Sequence, residues 1–396
     1  MKILMIAPQP FFQPRGTPFS VLGRLRALSH LGHEVDLVTY HIGENVELPG
    51  LTIYRTPSVP FVRHIPIGPS IIKLLLDVLL LGKTMSLLLK KQYDMIHSHE
   101  EASFFGIVLA RWFRLPHLYD MHSSLPQQLK NFDYTTFAPL IRLFEWLENR
   151  AIGSSRAVIT ICPALEAWVK HKFPTIPEIM IENVVLEGNP DEVTDDEVEE
   201  FRTRYDVQGK PIILYSGTFE PYQGLDVLIA GADRVLEQIP NAVFVLMGGK
   251  SEQIARYQEQ VERMGCRSSF RFTGMRPPRE VTVAIRCADV LVSPRISGTN
   301  TPLKIYAYLQ SGKPIVATNL FTHTQVLNAD VAMLVEPKSE AFADALIAIL
   351  KDPELGQALG KRARHVFESR FSFSQYLRKT EEALQLMETP SRPLSV

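Results

Sequence analysis

Short apolar runs of strand length alternate with helix-like stretches along the whole chain, and no other feature limits the fold as much. In the first half the runs are residues 3–7, 35–40, 95–97, 117–121 and 158–162. The second half repeats the rhythm at 212–215, 243–247, 270–272, 290–293, 314–317 and 331–335. Runs that are apolar throughout suit strands buried on both faces of a parallel sheet. Each half is therefore expected to form a doubly wound, Rossmann-like α/β sheet, and 396 residues are enough for two such cores.

Between the halves lies LEGNPDEVTDDEVEEFRTRYDVQGK, residues 186–210, rich in acids and turn formers. We read it as a linker whose acidic run 195–200 is solvated rather than metal-binding. The expected division is an N-terminal domain (1–185), the linker (186–210), a C-terminal domain (211–370) and a C-terminal helix (371–396) that packs back toward the first domain. Pro390 and Pro393 mark its frayed end.

Composition excludes several classes. Hydrophobic residues at 45% and charged residues at 21% describe a globular chain, and a formal net charge of −1 gives no basic field for nucleic acid. Cys162, Cys266 and Cys287 lack metal or disulfide spacing and read as structural thiols of a reducing compartment. The start, MKILMIAPQP, reads as a first strand rather than a signal peptide, so the expected location is cytoplasmic. Residues 69–91, PSIIKLLLDVLLLGKTMSLLLKK, fall short of a membrane span because Lys73, Asp77, Gly82 and Lys83 interrupt them. Their leucines recur at helical spacing, and Phe61, Arg63 and His64 precede them. The segment suits either a helix packed on a sheet or peripheral contact of residues 61–91 with an anionic leaflet.

The stretch VSPRISGTNTPLKIYAYLQSGKPIVAT, residues 292–318, reads as strand, glycine-containing loop, helix and strand. Pro302 suits the first helical turn and Thr301 its cap. Backbone N–H groups at Asn300 to Leu303, the hydroxyls of Thr299 and Thr301, and Lys304 all suit a diphosphate, although an ordinary strand-to-helix junction uses the same capping chemistry. Ligands of open α/β sheets bind beyond the carboxyl ends of the strands, which directs attention to loops 9–18, 98–102, 122–126, 217–224, 248–251, 274–278 and 295–301.

Taken together, these pieces resemble the retaining glycosyltransferases of family 4. The matching segments are Arg15-Gly16 followed by SVLGRLRALSHLGHEVDLVTY, then YDMIHSH, LYDMH, ILYSGTFEPYQGLDVLI, FRFTGMRP with CADVLVSP, and TPLKIYAYLQSGKPIVAT. The resemblance covers nearly the whole chain. It implies the GT-B fold, two Rossmann-like domains facing a central cleft, the N-terminal one acceptor-binding and the C-terminal one nucleotide-sugar-binding, and transfer of a sugar from a UDP- or GDP-sugar to a glycan or lipid-linked acceptor in polysaccharide biosynthesis, without metal or other cofactor. By that resemblance Gly16 lets backbone approach the donor phosphates or the acceptor, and His122 lies beside donor sugar and acceptor. Gly217 to Gly224 form the diphosphate loop, where Thr218 and Gln223 replace the usual arginine and lysine. Gly274, Met275 and Arg276 hold the base, Arg295 and Lys304 stabilise the leaving diphosphate, and Gly298, Thr299, Asn300 and Thr301 complete the donor site. Two glutamates of the family motif fall on Thr299 and Ala307, so both carboxylates are absent.

Three alternatives remain open from the residues. Loss of those carboxylates suits a GT-B subunit that binds or scaffolds without catalysing. His97, His99, Glu100, Glu101, Asp120 and His122 supply ligand types for a metal-dependent hydrolase, but at no diagnostic spacing. A nucleotide-sugar epimerase would need cleft carboxylates, and none stands out.

Overall fold

The computed structural model describes residues 1–13, 16–62, 65, 70–124, 126, 138–183, 185 and 188–388. Arg15, Arg63, His64, Pro390 and Pro393 lie outside the described residues. The chain divides into two compact units, residues 1–184 with the C-terminal segment from Phe373, and residues 185–372.

In the first unit the order along the chain is β1 (Lys2–Ala7), α1 (Gly16–His30), β2 (Glu34–Thr39), β3 (Leu51–Arg55), α2 (Ile71–Lys90), β4 (Met95–His99), α3 (Ala102–Phe113), β5 (His117–Met121), α4 (Ala138–Ser154), β6 (Ala157–Thr160), α5 (Pro163–Lys172) and β7 (Glu178–Met180). The seven strands form one parallel sheet in the order β3-β2-β1-β4-β5-β6-β7. Ile3 sits between Val35 and Met95, and the apolar central strands are buried on both faces, which is why their sequence shows no alternation. The chain leaves β1 toward one edge and returns to the other side of it as β4. The carboxyl ends of β1 and β4 therefore flank a point of reversal, where a sheet of this kind opens a crevice.

The second unit begins with α6 (Asp195–Arg204) and continues through β8 (Ile212–Ser216), α7 (Leu225–Ala230), α8 (Ala232–Gln238), β9 (Val243–Met247), α9 (Ser251–Arg263), β10 (Phe270–Gly274), α10 (Pro278–Cys287), β11 (Val290–Ser293), α11 (Lys304–Ser311), β12 (Ile315–Thr318), α12 (Phe321–Thr324), β13 (Met333–Val335), α13 (Ser339–Lys351) and α14 (Pro353–Arg370). Its sheet runs β10-β9-β8-β11-β12-β13, all parallel, with the reversal between β8 and β11. Both sheets are Rossmann-like, as expected.

Three local differences from the sequence reading have plain causes, and a fourth point concerns α2. β3, LTIYR, is a half-buried edge strand, and β7 has only three residues, so neither shows a continuous apolar run. The acids at 195–200 do structural work: Glu197 closes a capping box with Thr194 and pairs with Arg279 at 2.6 Å, while Phe201 enters the core of the second unit. α11 starts at Lys304 with Leu303 at its cap, so Pro302 and Thr301, expected as first turn and cap, precede the helix. Finally, α2 presents Leu76, Leu80, Leu87 and Leu88 to the core of the first unit, and among the described residues no helix is long and apolar enough to cross a membrane.

The last helix, α15 (Phe373–Glu388), belongs to the first unit and packs on α1. Lys379 Nζ lies 2.6 Å from Glu182, Arg156 Nε donates to Leu386 O at 2.5 Å, and the Arg24 guanidinium rests 5.0 Å from the centre of the Tyr376 ring.

Candidate active site

At the reversal of the second sheet, two loops meet. Gly217, at φ +143°, leaves β8 so close to the loop beyond β11 that an added Cβ would stand 2.8 Å from Lys304 Nζ. At the other end of the same loop a Cβ on Gly224 would stand 2.0 Å from the carbonyl oxygen of Pro294. Glycine at both ends is thus a packing requirement, and it brings the 217–224 loop onto the 294–304 segment.

Lys304 turns its side chain inward over the Tyr215 ring, with Nζ 3.7 Å from the ring centre. The stem is half-buried, but Nζ is covered and has no hydrogen-bond partner among the described residues. Burial, then the neighbouring Arg295 charge, holds its pKa well below the usual lysine range. Arg295 Nη1 donates to Asn300 O at 2.9 Å and to Thr322 Oγ1 at 2.8 Å, and the guanidinium lies 5.1 Å from the centre of the Tyr222 ring. Burial lowers its pKa as well. Thr301 Oγ1 and Gln223 Oε1 are also buried without a partner. Two cations held together with no carboxylate paired to either are costly in a folded protein, and an anion in their midst would remove that cost.

The other donor positions are distributed around this pair. Gln223 Nε2 reaches Thr218 Oγ1 at 3.4 Å, and Thr218 O accepts from Tyr215 OH at 2.6 Å, so these two uncharged residues tie down the loop. Gly298 is at φ +127° against the Arg295 guanidinium, and Thr299 O accepts from Gln325 Nε2 at 2.6 Å. Gly274, at φ +72°, accepts from the Gly248 N–H at 2.8 Å; Met275 beyond it is exposed, and Arg276 lies 3.8 Å from Glu280. Ala307, at the position of the second family glutamate, is buried in the apolar core. Tyr215, Tyr222 and Thr322 were not singled out by sequence. Aromatic residues beside a glycine loop give no distinctive spacing, and Thr322 comes from a different element altogether, the short helix α12.

In the first unit, Gly16 opens α1 with nothing within 4 Å of where its Cβ would be, so the fold itself does not need glycine there. His122 is buried at the end of β5, not a surface residue. Its Nε2 lies 2.8 Å from His99 Nδ1 and 3.4 Å from Asp120 Oδ1. Asp120 Oδ2 accepts from Arg24 Nε at 2.7 Å and lies 3.3 Å from His97 Nε2. Burial alone would raise the Asp120 pKa, but Arg24 and the histidines pull it well below the ordinary carboxylate range. Desolvation outweighs Asp120 at His122 and lowers its pKa to about 4, so the imidazole is neutral near pH 7. Arg24 escaped the sequence reading because an arginine in an amphipathic helix looks solvated, and Asp120 was read there only as a candidate metal ligand.

Among the described residues, His97, His99 and Asp120 come close enough to share a metal ion. The chemistry opposes it: the carboxylate is already neutralised by a buried guanidinium on Oδ2, and a divalent ion would sit beside that fixed positive charge. Glu100, next in the chain and at φ +48°, turns away to accept from Thr17 Oγ1 at 3.2 Å.

The model of the group 1 glycosyl transferases matches residues 197–366, and that of Glycosyltransferase Family 4 matches residues 15–183. A phosphatidyl-myo-inositol mannosyltransferase of Mycolicibacterium smegmatis is 24% identical over 366 residues, covering 92% of this chain and 88% of that one. YtcC of Bacillus subtilis, which carries a glycosyltransferase name, is 29% identical over 201 residues, so that match spans about half of each chain (48% and 49%). Among solved structures, sucrose-phosphate synthase from Thermosynechococcus elongatus superposes with a TM-score of 0.78 at 20% identity, over 97% of this chain and 98% of that one. Anabaena HepE in complex with UDP-glucose gives 0.75 at 16% identity, over 97% and 99%. With one family model on each unit and the GT-B fold common to its structural neighbours, the chain belongs to the family 4 type of GT-B glycosyltransferases.

Proposed function

We propose that this glycosyltransferase moves a hexose from a nucleotide-diphosphate donor to a glycan or lipid-linked acceptor of polysaccharide biosynthesis, with retention of anomeric configuration and without a metal. The observation that carries the reading is the buried, partnerless Lys304 ammonium beside Arg295 at the sheet reversal of the second unit. A diphosphate accepts from both cations and from Thr301, and the UDP-glucose bound by the Anabaena relative supports a uridine donor. In the transfer, the acceptor oxygen bonds to the anomeric carbon as the carbon–oxygen bond to the diphosphate breaks. The acceptor proton passes to the departing phosphate oxygen, and Lys304 and Arg295 stabilise the charge that develops there. Gly217, Thr218, Gln223, Gly274, Met275, Arg276, Gly298, Thr299 and Asn300 shape the donor site. Gly16 and the neutral His122 contribute from the first unit, His122 as a hydrogen-bonding group rather than a cation.

Calorimetric titration with UDP-glucose and GDP-mannose tests donor binding, and the anomeric proton coupling of the product tests retention. A second reading, a non-catalytic binding subunit, rests on Thr299 and on the buried Ala307, which leave both motif positions without a carboxylate. Donor binding without hydrolysis or transfer to any acceptor would favour it. In either reading the expected location is cytoplasmic, with peripheral contact at the membrane through residues 61–91.

A further inference from the structure

The sheet of the first unit carries α2, α3 and α4 on one face, because each belongs to a right-handed crossover running in the same direction across it. α3 packs against both of the others. Their inner sides fill the core, yet their outer sides are apolar as well. Leu74 is 62% exposed and Val78 65% on α2, Val108 44% and Trp112 69% on α3, and Leu143 49% and Trp146 58% on α4. Helical spacing places Val108 with Trp112, and Leu143 with Trp146, on common outward stripes. The sequence reading reached only the first of these helices.

Charge identifies what covers this face. The exposed charged residues on the described parts of these helices and their ends are Lys90, Arg111, Arg114, Arg142 and Arg150. All are basic, in a chain whose net charge is −1. The acids of the same helices are withdrawn: Asp77 accepts from Tyr40 OH at 2.6 Å, Glu148 is buried and accepts from Ser124 at 3.0 Å, and Glu145 is only partly exposed. Arg142 and Arg150 lie one turn on either side of Trp146, and Arg111 one turn from Val108. A second copy docked symmetrically would set this basic face against the same basic face. Tryptophan and leucine flanked by arginine suit the boundary between lipid headgroups and acyl chains.

We infer that the outer face of α2, α3 and α4 is a three-helix docking surface for an anionic lipid bilayer, anchored by Trp112 and Trp146. The inference rests on the lipid-linked acceptor proposed above for its purpose, and widens the contact from residues 61–91 to two further helices.

Flotation of the full chain with vesicles of phosphatidylcholine and phosphatidylglycerol, and with phosphatidylcholine alone, tests it. The chain should float with the mixed vesicles and far less with the neutral ones, and binding should weaken as salt is raised. Trp112→Ser with Trp146→Ser should lower vesicle partitioning about tenfold or more while thermal stability is kept, because both rings are already exposed. Arg111→Glu with Arg142→Glu should abolish the preference for anionic lipid. Failure of the parent chain to float with mixed vesicles, or equal flotation of the double tryptophan variant, overturns the inference. So does a dimer in light scattering that the tryptophan variant dissociates without any vesicle binding, which would assign the face to a second copy. A chain that binds UDP-glucose in solution yet ignores vesicles loses this surface and keeps the transferase reading; one that floats but binds no nucleotide sugar does the reverse.

Discussion

Lys304 sits where burial and chemistry conflict. Its ammonium is covered, unpaired and close to Arg295, so the empty protein carries an electrostatic cost that a diphosphate would relieve. Two consequences follow for Lys304→Met, which keeps the side-chain length and removes the charge. Without ligand the variant should melt higher than the parent, and it should lose about 1.5–3 kcal/mol of UDP affinity, roughly tenfold to more than a hundredfold, the worth of a hydrogen bond to a charged group. Unchanged calorimetric affinity would remove Lys304 from the donor site. A lysine with a depressed pKa should also take up a proton when the anion arrives, so the heat of UDP binding should vary with the ionisation enthalpy of the buffer, and the uptake should grow as pH rises. Asp120 presents the opposite case, a buried charge held in an ion pair with a buried guanidinium. Asp120→Ala strands the Arg24 guanidinium in the interior and should cost about 3–5 kcal/mol in urea unfolding, far more than a surface ion pair.

At the scale of elements, the loop from Gly217 to Gly224 owes its position to two close approaches that no side chain tolerates. Gly217→Ala should leave the β8 strand and its sheet intact, since the clash is with the flexible end of Lys304. The backbone at φ +143° costs the alanine some stability, but by displacing Nζ the substitution should weaken UDP binding by more than it lowers stability. Equal loss of stability and affinity would mean the glycine serves the fold alone. This loop was legible in the sequence because glycines bracketing a strand-to-helix turn are a local signal, as were the buried strands, whose apolar runs need no context. Edge strands were not legible: Thr52 is exposed between the partly buried Leu51 and Ile53 in β3, and β7 is too short for any period to show. Nor could spacing reveal that Thr322, from the short helix α12 beyond β12, would reach Arg295, or that Arg24 would turn inward under Tyr376. Those are tertiary choices. The Arg24 contact makes α15 part of the first unit's electrostatics, so deletion of residues 373–396 should expose this buried cation and lower the melting temperature of that unit, as measured by tryptophan fluorescence.

Across the whole molecule, pH reads out how unevenly buried histidines are distributed. His99, His117 and His122 in the first unit are held neutral by desolvation, His117 down to about 3 and His122 to about 4, whereas the second unit has His323, lowered to about 4 by burial. In the unfolded chain each titrates near 6.5. Because the folded values are depressed, the unfolded state binds more protons as pH falls below 6.5. Stability is therefore full above that value and declines toward the folded pKa values, by up to about 1.4 kcal/mol per pH unit for each histidine. Asp120 adds nothing in this window; its depressed carboxyl pKa contributes stability that is lost only below the ordinary aspartate value near 3.8. The three tryptophans of the chain, Trp112, Trp146 and Trp168, all lie in the first unit, so fluorescence follows that unit while far-ultraviolet circular dichroism follows both. Asp77 and Glu100, also in the first unit, are pushed up to about 7 by burial and neighbouring acids, so they add stability as pH falls and offset part of the histidine loss. Urea unfolding between pH 6.5 and 4.5 should therefore move the fluorescence transition to lower denaturant, by less than three histidines alone would give. A transition that stays in place or moves to higher denaturant would mean that the cluster around Asp120 is hydrated, and His122 would then act as a cation near pH 6.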